Sequence, residues 1–191
     1  VEPYFASGRS KLRLKAEARY TRAASGGTGA AKTSGNYAGT LKPMAEAITE
    51  GFDQILWLDG QTHQYAEEAG QMNVFFRIGD EVITPELSGT ILPGVTRDSV
   101  IQLLSDWGYT VSTRKVSIQE LKSASDAGIL NEMFGAGTAA VIAPIQSITL
   151  HDEELSVNAP NGPELSKRLL DTILGIQHGT IADTHGWTVK I

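Results

Sequence analysis

The sequence predicts an α+β fold, or an irregular α/β one, in which strands and helices follow one another without regular alternation. Two stretches show both element types side by side. Residues 11–20, KLRLKAEARY, alternate strictly: Leu12, Leu14, Ala16, Ala18 and Tyr20 fall on one side and charges on the other. That period belongs to a strand with one wet face. Near the C-terminus, Leu165, Leu169, Ile173 and Ile176 instead form a helical stripe between Pro163 and Gly179, which are a helix entry and a helix stop. At 191 residues, the length prior favours a single domain over residues 1–191.

The elements between are irregular in order. Leu41 to Glu50 reads as a helix, with Pro43 tolerable only in its first turn. DQILWLD (53–59) is a short apolar strand. MNVFFRI (72–78) and EVIT (81–84) flank Gly79-Asp80 as a hairpin. Thr96 is placed to N-cap a helix carrying Val100, Ile101, Leu104 and Trp107, with Gly108 as its stop. YTVSTRKVS (109–117) is strand-like, and Ser117 with Glu120 forms a capping-box pair that opens another helix. AAVIAPI (139–145) is an apolar strand whose Pro144 argues for a strand end or edge.

Composition excludes several classes of function. The net charge of -6 disfavours nucleic acid and anionic membrane, because an acidic surface gains nothing from counterion release. No apolar run approaches the roughly 20 residues that span a bilayer, so no membrane partner is expected. The absence of cysteine removes disulfides, thiolate metal sites and cysteine nucleophiles, and it fits a cytoplasmic location. Asp183 and His185 have D-x-H spacing, but His63, His151 and His178 show no ligand pattern around them. No metal is expected.

The stretch GGTGAAKTSGNYAG (26–39) sets one lysine among glycines and nearly spells a nucleotide phosphate loop. The position before Lys32 is Ala31 rather than glycine, the preceding strand is half polar, and Thr33-Ser34-Gly35-Asn36 makes a poor helical first turn. A nucleotide-binding module is therefore a remote alternative. Three other stretches bear on the lysine. YAEEAGQMNVFF (65–76) holds the carboxylates Glu67 and Glu68. PELSGTILPGVTRDSV (85–100) places a helix N-terminus, with its free N–H groups, after Gly94. FGAGTAAVIAPI (134–145) reads as a glycine loop before a strand, where backbone could approach a ligand closely. Together they offer an amine, an anion-binding helix end and a carboxylate. Those are the groups that pyridoxal 5'-phosphate (PLP) needs for its aldehyde, phosphate and pyridine nitrogen.

These four stretches, in this order, resemble the branched-chain amino acid aminotransferases, PLP enzymes of fold type IV, and GIQHGTIADTHGW (175–187) is similar to the end of bacterial members. The resemblance implies the large PLP-binding domain of that fold, with mixed sheets and flanking helices. It matches Lys32 to the Schiff-base lysine that also moves the substrate proton, Tyr37 to the phenol on the cofactor's ring oxygen, and Glu68 to the carboxylate on the pyridine nitrogen. Leu92 matches the residue packed on the ring, Val95 and Thr96 the phosphate donors, and Thr138 a further phosphate contact. Gln71 and Ala139 fall where the family binds the substrate carboxylate. Glu67 is read as a solvated neighbour.

The implied reaction is reversible transfer of an amino group between leucine, isoleucine or valine and 2-oxoglutarate, in branched-chain amino acid biosynthesis or catabolism. The implied partners are amino acids and 2-oxo acids, and the full-length enzyme is expected to be a homodimer. The family has a small N-terminal domain that supplies an arginine to the phosphate and part of the substrate pocket. This chain reads as the C-terminal domain without it, with little activity alone. Ala140 and Ala143 stand where some mammalian members carry a redox-active cysteine pair, so no thiol switch is expected. D-amino acid aminotransferase, aminodeoxychorismate lyase and a catalytically silent fragment are the competing readings.

Overall fold

A computed structural model describes residues 11–159 and 161–189. It opens with β1 (Leu12–Glu17), followed by the short helix α1 (Ser34–Ala38) and α2 (Leu41–Thr49). Four strands come next: β2 (Gln54–Leu58), β3 (Ala66–Ala69), β4 (Met72–Ile78) and β5 (Glu81–Thr84). Then α3 (Val95–Asp106), β6 (Thr110–Thr113) and α4 (Ile118–Asp126) alternate. The described chain ends with β7 (Leu130–Gly137), β8 (Val141–Leu150), β9 (Glu153–Ser156) and α5 (Glu164–Gln177). No helix among the described residues is long and apolar enough to cross a membrane.

All nine strands of the described residues belong to one mixed sheet in the order β3-β2-β1-β8-β7-β4-β5-β6, with β9 on β8. β3 also pairs with β4, so β1, β2, β3, β4, β7 and β8 close into a ring of pairings. Side chains alternate across a strand, and the core divides accordingly. Val74 and Phe76 join Leu12, Leu14, Leu56, Met133 and Ile145 in one cluster, into which α4 inserts Ile118 and Leu121. Phe75, between them in sequence, joins Phe134 in a second cluster against Leu103 and Leu104 of α3 and Leu165 and Leu169 of α5. Its ring stacks on Phe134 at 5.0 Å. On a third face, Ile55 and Trp57 meet Ala47 of α2.

Several sequence expectations hold and others shift. The β4–β5 hairpin turns at Gly79, whose φ of +56° suits glycine. Ser117 Oγ accepts the N–H of Glu120 at 3.0 Å, but the reciprocal half of the box is absent because the Glu120 carboxylate turns to Arg114 at 2.7 Å. The cap of α3 is Gly94, not Thr96: Gly94 is extended, and its carbonyl takes the first helical bond, from Asp98 at 3.1 Å. Thr96 therefore lies inside the first turn, with its hydroxyl freed from capping. Pro144 is not at a strand end but inside β8. β8 pairs with β7 through Val141–Ile145, and β1 joins on its other side only from Ile145 onward. Among the described residues, no strand flanks Pro144 on the β1 side, so its missing N–H costs no ladder bond to them.

Candidate functional site

Lys32 lies at the end of the glycine-rich loop, two residues before α1. Asn36 fixes this loop: its Nδ2 donates to the carbonyls of Thr28 and Ala31, each at 2.8 Å. That buried amide is why a five-residue helix forms in a stretch with poor helical propensity. Lys32 Nζ donates to Tyr37 Oη at 3.5 Å. The amine and the phenol are five residues apart in sequence, and the turn into α1, which carries Tyr37, brings them together.

Two recesses meet here and share Gln71 and Leu92. The larger is a cavity of ≈350 Å³, also lined by Lys32, Val95, Thr96, Thr138 and Ala139. The smaller holds Tyr37, Glu68 and Arg22. The fold thus brings together every residue singled out for cofactor or substrate. Thr138 and Ala139 stand on the turn after β7. The glycines ahead of them are not a loop: Gly135 and Gly137 belong to β7 itself. At Gly135 a Cβ would lie 2.8 Å from the Met72 side chain, and that close approach is what admits glycine into a strand.

Glu68 is the most constrained polar group in the site. It projects from β3, and β3 is paired on both sides, with β2 and with β4. Its Oε1 accepts the Leu92 N–H at 2.8 Å. Its Oε2 lies 3.2 Å from Arg22 Nε, an ion pair by distance. Arg22 is held in turn by the carbonyls of Gly29 and Thr90. Burial pushes the Glu68 carboxyl up to about 7, with Arg22 and the Leu92 N–H pulling against it.

Glu67 corrects the sequence reading. It is buried rather than solvated, at 7% exposure, and it faces away from Lys32 on the other side of β3, where Thr90 Oγ1 donates to it at 2.5 Å. Arg22, which the sequence reading passed over, stands alone after the first strand without any spacing signal. Only the fold carries it to Glu68.

The donor set fits PLP. α3 begins with no side-chain cap, so its first N–H groups are open to an anion, and the hydroxyl-bearing Thr96 and Thr138 line the same cavity. Asn73 Nδ2 donates to the Leu92 carbonyl at 2.9 Å. A Cβ on Gly94 would collide with Asn73 Oδ1, so glycine is needed where the chain enters this helix. The metal alternative at the C-terminus is taken up by other bonds. His185 Nε2 is 2.9 Å from Asp106 Oδ2 and stacks on Trp187, while Asp183 accepts the backbone N–H groups of His185 and Thr188.

The chain is 49% identical over 191 residues to branched-chain-amino-acid aminotransferase 2 of Bacillus subtilis, covering 100% of this chain and 53% of that protein. It is 44% identical over 192 residues to the branched-chain-amino-acid aminotransferase of Mycolicibacterium smegmatis, covering 98% of this chain and 52% of the relative. The chain therefore spans about half the length of the curated relatives it matches. Among solved structures, the branched-chain amino acid aminotransferase of Thermobaculum terrenum (M4 mutant) superposes with a TM-score of 0.78. The identity is 28%, and the match covers 96% of this chain and 57% of that one. The Escherichia coli enzyme gives a TM-score of 0.76 at 26% identity, covering 94% and 57%. A further solved branched-chain amino acid aminotransferase, complexed with N-(5'-phosphopyridoxyl)-L-glutamate, gives 0.79 at 29% identity, covering 94% and 56%. The model of the amino-transferase class IV family matches residues 4–148, three-quarters of the sequence, and on that match the chain belongs to the class IV aminotransferases.

Proposed function

We propose that this chain is the cofactor-binding domain of a branched-chain-amino-acid aminotransferase that uses PLP to move an amino group between leucine, isoleucine or valine and 2-oxoglutarate. The observation that carries this reading is the convergence of Lys32, Tyr37, Glu68 and the open N-terminus of α3 on adjoining recesses.

Lys32 would hold the cofactor's aldehyde carbon through its amine, Tyr37 its ring oxygen and Glu68 its pyridine nitrogen. The N–H groups of Val95 and Thr96, with the hydroxyls of Thr96 and Thr138, would hold the phosphate. Leu92 would pack on the ring. When bound, PLP supplies an electron-accepting ring that stabilises negative charge at the substrate α-carbon. The remaining work falls to the protein. Nζ of Lys32 would take the proton from that carbon and return it to the cofactor's aldehyde carbon. Tyr37, in reach of Nζ, orients the amine. Glu68, aimed by the Leu92 N–H and Arg22, presents a carboxylate whose proton affinity burial has raised, which suits it to share a proton with a ring nitrogen. Gln71 and the Ala139 N–H border the same cavity and would take the substrate carboxylate. Alternating an amino acid and an oxo acid in one site predicts ping-pong kinetics.

Borohydride reduction after addition of PLP, followed by peptide mapping, tests the proposal without requiring turnover. A stable adduct on Lys32, absent in Lys32→Ala, is expected. An adduct elsewhere, or none on folded protein, would count against it.

A further inference from the structure

The Glu67 side of β3 faces a second cavity of ≈420 Å³, which shares no lining residue with the recesses around Lys32. Into it projects a carboxylate that the aminotransferase reading does not use. Thr90 satisfies Oε1 of Glu67. Oε2 is buried and has no hydrogen-bond partner among the described residues. An oxygen in that position costs free energy unless something pairs with it.

The other charged groups at the cavity are already engaged or lie at its mouth. Asp59 spends both oxygens on its own turn, accepting the N–H groups of Thr62, Gln64 and Tyr65 at 2.7, 2.9 and 2.9 Å. Lys115 sits over the Tyr65 ring at 5.3 Å instead of reaching Glu67, and Glu86 is exposed. The wall beside Glu67 is apolar, formed by Ala66, Pro85 and Ile91, with the Ser88 hydroxyl 2.7 Å from that of Thr90.

We propose that this cavity is a second binding site, for a small organic cation: a primary ammonium on a short aliphatic body. The ammonium seats on the Glu67 carboxylate at the cavity wall, and the body lies along the apolar wall. The volume lies within the range of small-molecule sites. A hard metal ion needs about six oxygen ligands, and one free buried carboxylate oxygen does not supply them. An ammonium needs only three acceptors; the Thr90 hydroxyl bonds the same carboxylate at Oε1, and the Ser88 hydroxyl lies next to that of Thr90. Burial holds the Glu67 carboxyl above its ordinary range although the Thr90 hydroxyl and the Arg22 charge pull against it, and an arriving cation adds to that compensation.

The test is calorimetric titration of the folded chain with n-butylammonium chloride at constant ionic strength, with n-butanol as the neutral isostere. Saturable binding of the cation alone is expected, weakened about tenfold or more by Glu67→Gln and almost unaffected by Glu86→Gln. Equal binding of n-butanol, equal binding by Glu67→Gln, or no saturable binding of the cation would overturn the proposal. If Glu67→Gln does not fold, Gln61→Trp decides. It narrows the cavity from an exposed turn without touching the carboxylate, and it is expected to abolish binding. The readout involves neither PLP nor turnover, so it stands apart from the proposed activity.

Discussion

Glu68 shows how one buried carboxylate ties binding to stability. It is 3% exposed, and its carboxyl is raised from an ordinary value near 4.5 to about 7. Unfolded, the group ionises near the ordinary value. Folded, it keeps its proton longer, so the native state binds more protons between those two values. Stability contributed by this group is therefore present below pH ~4.5 and falls as pH rises to ~7, by on the order of 3 kcal/mol. Glu68→Gln removes that titration. In chemical denaturation without PLP, wild type should lose more stability than the variant between pH 5 and pH 8, while the variant should bind PLP more weakly. Parallel pH profiles would contradict the assignment. Arg22 belongs to the same balance. It supplies the opposing charge, and its own place depends on the Gly29 and Thr90 carbonyls.

Among the elements, α5 depends on a residue outside itself. Pro163 at its N-cap offers no side-chain cap. Glu132 of β7 serves instead, accepting the N–H groups of Leu165 and Ser166 at 2.8 and 3.0 Å and the Ser166 hydroxyl at 2.9 Å. This carboxylate is buried at the positive end of the helix dipole. Glu132→Ala should cost about 1.5–3 kcal/mol, the range for charged hydrogen bonds, measured by urea denaturation. It should also raise hydrogen exchange in α5 before that of β4. The apolar stripe and Gly179 are sequence signals for α5, but its actual cap comes from a residue 33 positions from Leu165. β7, β3 and β9 left little sequence signal for related reasons. β7 carries glycines that Met72 packing requires. β3 is AEEA, whose acidic pair reads as surface. β9 is a short exposed edge on β8. α1 also runs against local propensity, and Asn36 supplies the compensating bonds.

For the molecule as a whole, the ring of strands and the two helices outside it are joined through the Phe75–Phe134 stack. Both rings are fully buried and lie in the cluster that holds α3 and α5 against the sheet. Phe75→Ala should destabilise by about 3–5 kcal/mol. It should also weaken PLP binding, because the N-terminus of α3 is positioned by this packing; calorimetric unfolding and PLP titration would check the two effects. An unchanged PLP affinity in a destabilised protein would mean that the turn ahead of α3, with Gly94 and Asn73, fixes the helix end unaided.

By itself the sequence determined the mixed α+β character, the helices with clear stripes and the β4–β5 hairpin, because local periodicity and turn residues act over a few positions. It also determined which residues are expected at the cofactor and substrate, through ordered motifs that mark the family. Tertiary structure alone decided which face of β3 each glutamate takes, since β3 is recognised as a strand only through its pairing with β2 and β4. It likewise decided that Arg22 meets Glu68 and that Glu132 caps α5. Those contacts join positions tens of residues apart, and long-range approach of that kind leaves no periodic trace in the chain.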